Sequence, residues 1–329
     1  MVAGAAGGPK GLILLPLDEF LFGQWLPQGG HEVDLVGASI GAWRMAAACM
    51  PDPVAALRRL GHDYIHERYG VQDGTMPPAA VVSDLFRRTL HRHFSGSEDT
   101  LLHHPRWRLH ILTSRGRGLL HRPSRLRMPI GFALAVALNA VDRRLLGLAL
   151  ERVWFSARGI HPAWMADRLR TTDAPLTSAN FADALVASCS IPFWLEAVAD
   201  IAQAPEGSYW DGGLTDYHVH LPFSRMTEGL ALVPHFQPRL VPGWLDKPLR
   251  HRHGASPFLD NAVVLSPHPD WARALPGGKI PDRSDFKRYL HNPQERERLW
   301  TLALNASRQL ADELAQQVER SSIEALPLP

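Results

Sequence analysis

The stretch "VDLVGASIGAW", residues 33–43, sets Ser39 between Gly37 and Gly41. A run of β-formers, a sharp Gly-x-Ser-x-Gly turn and then a helix is the arrangement that presents a nucleophilic serine. The turn strains the serine backbone, and side chains at 37 and 41 would collide with the neighbouring strand and helix. Ser39 Oγ would then stand at the C-terminal edge of a sheet, beside a helix N-terminus that favours developing negative charge. The plainer reading is a serine that only N-caps the following helix.

Two other stretches hold residues such a serine would need. In "AAGGPKG", residues 5–11, two adjacent glycines lead into a helical run. Glycine amides can approach an oxyanion without side-chain obstruction, and Pro9 has no N–H, so Gly7 and Gly8 are the expected donors. The stretch fits no Walker loop, because Lys10 is followed by Gly11, and too little chain precedes it for a dinucleotide loop. An ordinary glycine turn remains the alternative. In "SYWDGG", residues 208–213, Asp211 closes a strand-like run before Gly212 and Gly213. Such a turn also occurs in plain hairpins.

These residues must be positioned by the rest of a chain of 329 residues, 45% hydrophobic and 21% charged, with a net charge of +2. That composition fits a globular protein with a full core and does not suggest nucleic-acid binding. Cys49 and Cys189 lie among small apolar residues and read as buried free thiols of a reducing compartment. No ligand cluster points to a metal or other cofactor; the His103-His104 pair stands alone in a polar loop. The opening "MVAGAAGGPK" lacks the pattern of a secretory leader. The longest apolar run, residues 128–141, is too short to span a bilayer as a helix. The expectation is a soluble cytoplasmic protein.

Strand patterns at 33–39, 108–114, 151–157, 229–236 and 261–267 alternate with helical patterns at 11–27, 52–69, 78–94, 129–150, 178–188 and 293–319. The alternation predicts an α/β fold, a three-layer sandwich whose mostly parallel sheet has helices on both faces. One domain over 1–329 is expected, with 236–260 as a long surface loop.

In order along the chain, "AAGGPKG", "GASIG", "ASCSIP" and "WDGG" resemble the patatin-like phospholipase family. That family carries a glycine-rich oxyanion loop, Gly-x-Ser-x-Gly, an A-S-x-A-I-P helix end and Asp-Gly-Gly/Ala. The likeness spans about residues 1–225; 226–329 carries nothing recognisable and is expected to complete the same domain. Ala6 stands where the family has its first loop glycine. The resemblance implies a metal-free acyl hydrolase of phospholipids or glycerolipids. Ser39 would be its nucleophile, Asp211 its base, Gly7 and Gly8 its oxyanion donors and Lys10 the basic residue of the loop. Gly37, Gly41, Gly212 and Gly213 would shape the two turns.

Two competitors stand beside this reading. One is a Ser-His-Asp esterase using His218, His220, His235 or His268; the other is an idle membrane-associated scaffold. Trp43, Trp194 and Trp210 either line an acyl groove or belong to the core. The lipid reading also needs a route to substrate. Residues 115–150 place Arg115, Arg117, Arg122, Arg125 and Arg127 before an apolar helix, from which Ile130, Phe132 and Leu134 could enter an anionic membrane. The alternative is a core helix, with Ala133, Ala135, Ala137 and Ala140 in close packing.

Overall fold

The computed structural model describes residues 1–68, 77–165, 167–320 and 325–329. Within these, nine strands form a single sheet: β1 (Val2–Gly4), β2 (Val33–Ala38), β3 (Trp107–Gly116), β4 (Leu150–Ser156), β5 (Thr171–Pro175), β6 (Val198–Ala199), β7 (Ser208–Asp211), β8 (Ala231–Pro234) and β9 (Ala262–Leu265). The main order is β5-β4-β3-β2-β1-β8-β9. All neighbours along this path are parallel except β3 and β4. The protein is therefore a mixed α/β fold with a mostly parallel central sheet.

Strand residues alternate between the two faces, and the core divides accordingly. Leu35, Leu109, Ile111, Val153 and Phe155 join the larger core, which also holds residues of the helices Ile40–Ala48, Pro53–His66 and Phe181–Cys189. Val36, Leu112 and Trp154 point the other way, into a second core. A third group packs the helix Arg127–Val141 through Phe132 and Ala135 against Trp210. Helices thus cover both faces, as the alternation predicts.

Local signals explain several boundaries. Pro53 opens its helix with Asp52 Oδ1 accepting from the Ala55 N–H at 2.9 Å. That helix ends at His66; residue 69, the end expected from sequence, lies outside the described residues. The pattern over 293–319 is two helices, Pro293–Ala306 and Arg308–Glu319, divided at Ser307. The 11–27 pattern is a composite of short 3₁₀, α and π turns. Among the described residues no helix is long and apolar enough to cross a membrane.

The segment 236–260 is not the surface loop its composition suggests. Leu240, Val241, Leu245 and Asp246 are buried. The segment folds back on the turn after β7, where the Tyr217 and His218 amides donate to the Pro242 and Val241 carbonyls. Asp246 accepts from Asn139 Nδ2 at 2.8 Å and from Arg252 Nη1 at 2.9 Å, so its polar residues serve the interior. Strands β8 and β9 bring residues beyond 225 into the same sheet, beside β1.

Candidate active site

Two strands meet head-on along one edge of β3. β2 runs parallel to β3 and leaves it after Ala38, paired with Leu112. β7 runs the opposite way and leaves after Asp211, paired with Thr113. Ser39 and Asp211 are 172 positions apart in sequence, yet both leave the sheet at this one gap. Ser39 Oγ donates to Asp211 Oδ2 at 2.9 Å, and Asp211 Oδ1 accepts from the Gly213 N–H at 2.7 Å.

Ser39 has φ 56° and ψ −130°, a region L-residues rarely occupy. It stands at the N-cap position of the helix Ile40–Ala48, but its side chain caps nothing. The hydroxyl instead serves the carboxylate. The strained turn is enforced sterically: a β-carbon on Gly37 would lie 2.5 Å from the Ala42 backbone, and one on Gly41 would lie 1.9 Å from the Gly4 carbonyl oxygen. Behind the turn, Arg44 makes a two-pronged bond to Asp18 at 2.6 and 2.8 Å, with both side chains fully buried. This pair ties the helix after Ser39 to the helix Leu15–Phe20.

Asp211 is held by polar contacts instead. Its N–H donates to the Ser190 carbonyl, and the Gly212 N–H donates to that of Ser188. Ser114 Oγ donates to the Asp211 carbonyl at 3.0 Å. A β-carbon on Gly212 would fall 2.1 Å from the Leu112 carbonyl oxygen, so the turn needs glycine there; one on Gly213 would fall 2.8 Å from Ala6 Cβ. The chain continues into the helical turn Gly213–Asp216, so this is not a hairpin. Burial pushes the Asp211 carboxyl above its ordinary value, and the Arg283 charge opposes that shift.

Ser188 links the two turns, and the sequence reading assigned it no role. Its Oγ donates to the Leu112 carbonyl at 2.7 Å and accepts from the Ser39 N–H at 2.9 Å. Leu112 lies where β2 gives way to β7, so the hydroxyl fills the break in the ladder. The signal lay inside "ASCSIP". Cys189 beside it is a buried free thiol lining the same pocket as Ser39, as Cys49 is a buried free thiol in the core.

Gly8, at φ +56°, lines a narrow pocket of about 80 Å³ together with Ser39, Ile40 and Trp43. The Gly7 and Gly8 amides donate to no other group among the described residues. The Ala6 N–H, donating to the Tyr217 carbonyl at 2.8 Å, fastens their loop to the Asp211 turn. The Ile40 amide, directly after Ser39, is equally open, and the sequence reading did not name it. Lys10 lays its Nζ 4.9 Å from the Phe236 ring centroid. On the Asp211 side lies a wider pocket of about 620 Å³, walled by Phe132, Val136, Phe193, Trp194 and Trp244. Trp43 and Trp194 therefore line pockets, whereas Trp210 is buried in the core against Phe132. Arg283 borders both pockets, with Nη2 3.9 Å from Asp211 Oδ2. It comes from a region without a recognisable motif.

The four candidate histidines are engaged elsewhere. His218 Nδ1 accepts from the Val241 N–H at 2.9 Å, and His235 Nδ1 faces the Gln237 carbonyl. Burial holds both imidazoles neutral, His235 down to about 3. His220 Nε2 meets Ser256 Oγ, and His268 caps the helix Pro269–Ala274 from an exposed position. None shares a hydrogen bond with Ser39 or Asp211. Among the described residues no group of three or more His, Cys, Asp or Glu is placed to hold a metal ion. No protein-family model matches the chain, and no curated protein matches it significantly.

Proposed function

We propose that the protein is a serine lipid acyl hydrolase of the patatin-like phospholipase type, cleaving acyl esters of phospholipids or glycerolipids. The observation that carries this reading is the 2.9 Å bond from Ser39 Oγ to Asp211 Oδ2. It joins a strained serine and a buried carboxylate between two largely apolar pockets. As Ser39 Oγ attacks the ester carbonyl, Asp211 takes its proton. The open amides of Gly7, Gly8 and Ile40 hold the developing oxyanion, where losing one donor costs about 2.7–4 kcal/mol. Asp211 returns the proton to the leaving alcohol. Water then repeats the sequence on the acyl-enzyme and releases the acid. The raised basicity of Asp211 favours its role as base, because a buried carboxylate accepts a proton more readily than a solvated one. Cytoplasmic location with peripheral contact to anionic membranes through residues 115–150 belongs to the same proposal.

The test is incubation of the purified protein with mixed phospholipids and glycerolipids, followed by mass spectrometry. Free fatty acid and the matching deacylated lipid are expected, together with fluorophosphonate labelling at Ser39. Neither product nor label would refute the reading. His220→Ala and His268→Ala should each keep at least a tenth of kcat/KM, a loss under about 1.4 kcal/mol. Silencing by either one would move the mechanism to a Ser-His-Asp esterase.

A further inference from the structure

We propose that Arg283 and Lys247 form an anion subsite that binds a phosphate carried beside the scissile ester. The proposal rests on the hydrolase reading and narrows its substrate to phosphate-bearing lipids. Arg283 lies where the narrow and wide pockets meet. Its Nε is 3.0 Å from the point a Gly8 β-carbon would occupy, so the guanidinium overhangs the loop of the expected oxyanion donors. Its approach to Asp211, 3.9 Å, is too long for a hydrogen bond, which leaves the N–H fork open to a ligand. A planar fork of donors matches the oxygens of a phosphate.

Lys247 lines the wide pocket and holds its Nζ 4.1 Å from the Tyr217 ring centroid and 5.5 Å from that of Trp244. Among the described residues neither Lys247 nor Lys10 has a carboxylate within ion-pair distance. The nearby acids are already committed. Asp211 serves Ser39 and Gly213, while Asp282 and Asp285 receive Lys279 at 2.9 and 2.6 Å. Two cations, Arg283 and Lys247, therefore face one engaged carboxylate. Burial and the charges of Lys10 and Arg283 push the Lys247 ammonium down to about 8. Elsewhere the interior balances its charges: Arg44 has Asp18, and Arg152 has Asp167 and Asp216. A neutral lipid would cover Lys247 and the Arg283 fork without compensating them, whereas a phosphate between the two apolar pockets would satisfy both.

The test uses the Ser39→Ala protein and calorimetric titration with hexyl phosphate, hexanol and inorganic phosphate, so binding is read independently of hydrolysis. Hexyl phosphate should bind at least tenfold more tightly than hexanol. Adding Arg283→Gln and Lys247→Gln should remove at least tenfold of that preference in a protein with an unchanged circular-dichroism spectrum. Equal binding of hexyl phosphate and hexanol, or a preference that survives both substitutions, overturns the subsite. Inorganic phosphate binding as tightly as hexyl phosphate overturns the lipid assignment. Should the substituted protein fail to fold, inorganic phosphate must displace hexyl phosphate from the Ser39→Ala protein where sodium chloride of equal ionic strength does not. No displacement also overturns the proposal. A wild-type protein that binds hexyl phosphate but cleaves no lipid would sink the hydrolase reading and leave the subsite standing.

Discussion

Ser39 and Asp211 leave the same edge of β3 from opposite directions, and the two turns are held in different ways. The Ser39 turn is shaped by absence of bulk. Its constraints are Gly37, Ala42 and Gly41 within a few residues, with Gly4 pressed against the last. The Asp211 turn is shaped by a hydrogen bond from Ser114 Oγ and by bonds that its own amides donate to the Ser188 and Ser190 carbonyls. Below it, Arg152 bonds Asp216 and Asp167, and Arg143 donates to the Thr215 carbonyl. The Ser39 turn is held mainly by close packing, the Asp211 turn by close packing at Gly212 together with polar contacts from distant parts of the chain. Bulk should therefore break either turn at its tightest glycine, Gly41 or Gly212, and loss of a donor or acceptor should tell most at the second.

The largest effects should come from the dyad. Ser39→Ala and Asp211→Asn should each lower kcat/KM on a soluble ester at least a thousandfold, about 4 kcal/mol, and a folded variant retaining full activity would remove the proposed mechanism. The two variants should differ in stability. The Asp211 carboxyl titrates higher folded than unfolded, so the folded state binds its proton more tightly and the charged form lowers stability as pH rises through the folded value. Asp211→Asn should thus melt above wild type at pH 8, with the gap closing as pH falls. Ser39→Ala should show no such closing gap in the same melts. Wild-type activity should fall on the acid side at a pH above the usual carboxylate range.

Next in size is Gly41→Ala. Its β-carbon would lie 1.9 Å from a carbonyl oxygen of β1's Gly4, backbone against backbone, with no side chain free to yield. A loss of about 3 kcal/mol or more is expected in denaturant titration, at the upper end for overpacking. Gly213→Ala meets the Ala6 methyl at 2.8 Å and should cost clearly less. Equal losses would erase the difference in packing between these two positions.

Ser188→Ala should follow. It strands the Leu112 carbonyl and the Ser39 N–H, each a buried group worth about 1–3 kcal/mol when left unpaired. As a positioning residue, Ser188 should affect kcat about tenfold or more with KM little changed, and Ser188→Thr should restore part of it. A change in KM alone would contradict that role.

The same contrast governs what could be read beforehand. The Ser39 turn was legible because its determinants are adjacent in sequence and glycine has a single steric meaning there. Residue alternation likewise foretold β3 and β4, and short apolar runs foretold β2, β8 and β9, because strands of a sheet covered on both faces are apolar on both sides. The short strands β1 and β6 left no pattern to read, and β5 went unread too. Arg283, Lys247 and the buried stretch around Asp246 gave no local signal, because much of their meaning comes from residues brought near only by the fold, such as Gly8 and Asp211 for Arg283, Tyr217 for Lys247 and Asn139 for Asp246. For Trp210 the sequence left groove and core both open, and only the packing against Phe132 shows that it belongs to the core.

The smallest effect concerns the rim of the wide pocket, where the asymmetry between the two sides reaches the surface. The helix Arg127–Val141 is not a core helix: of its alanines only Ala135 is buried, and Phe132 faces inward. Ile130 and Leu134, one turn apart, are 57% and 46% exposed, and Phe193 beside the pocket is 61% exposed. Arg125 and Arg127 are exposed at the start of this apolar face, whereas Arg122 is engaged by Asp200 at 2.8 Å. Peripheral binding to anionic membranes should therefore use Arg125 and Arg127 more than Arg122, each adding roughly 1 kcal/mol. In co-sedimentation with phosphatidylserine vesicles, Arg125→Glu/Arg127→Glu should weaken binding at low salt, and Arg122→Glu alone should weaken it less. Ile130→Asp/Leu134→Asp should reduce the binding that persists at high salt, because apolar insertion is not screened. Binding that is equal in all variants and insensitive to salt would leave the exposed rim without a membrane role.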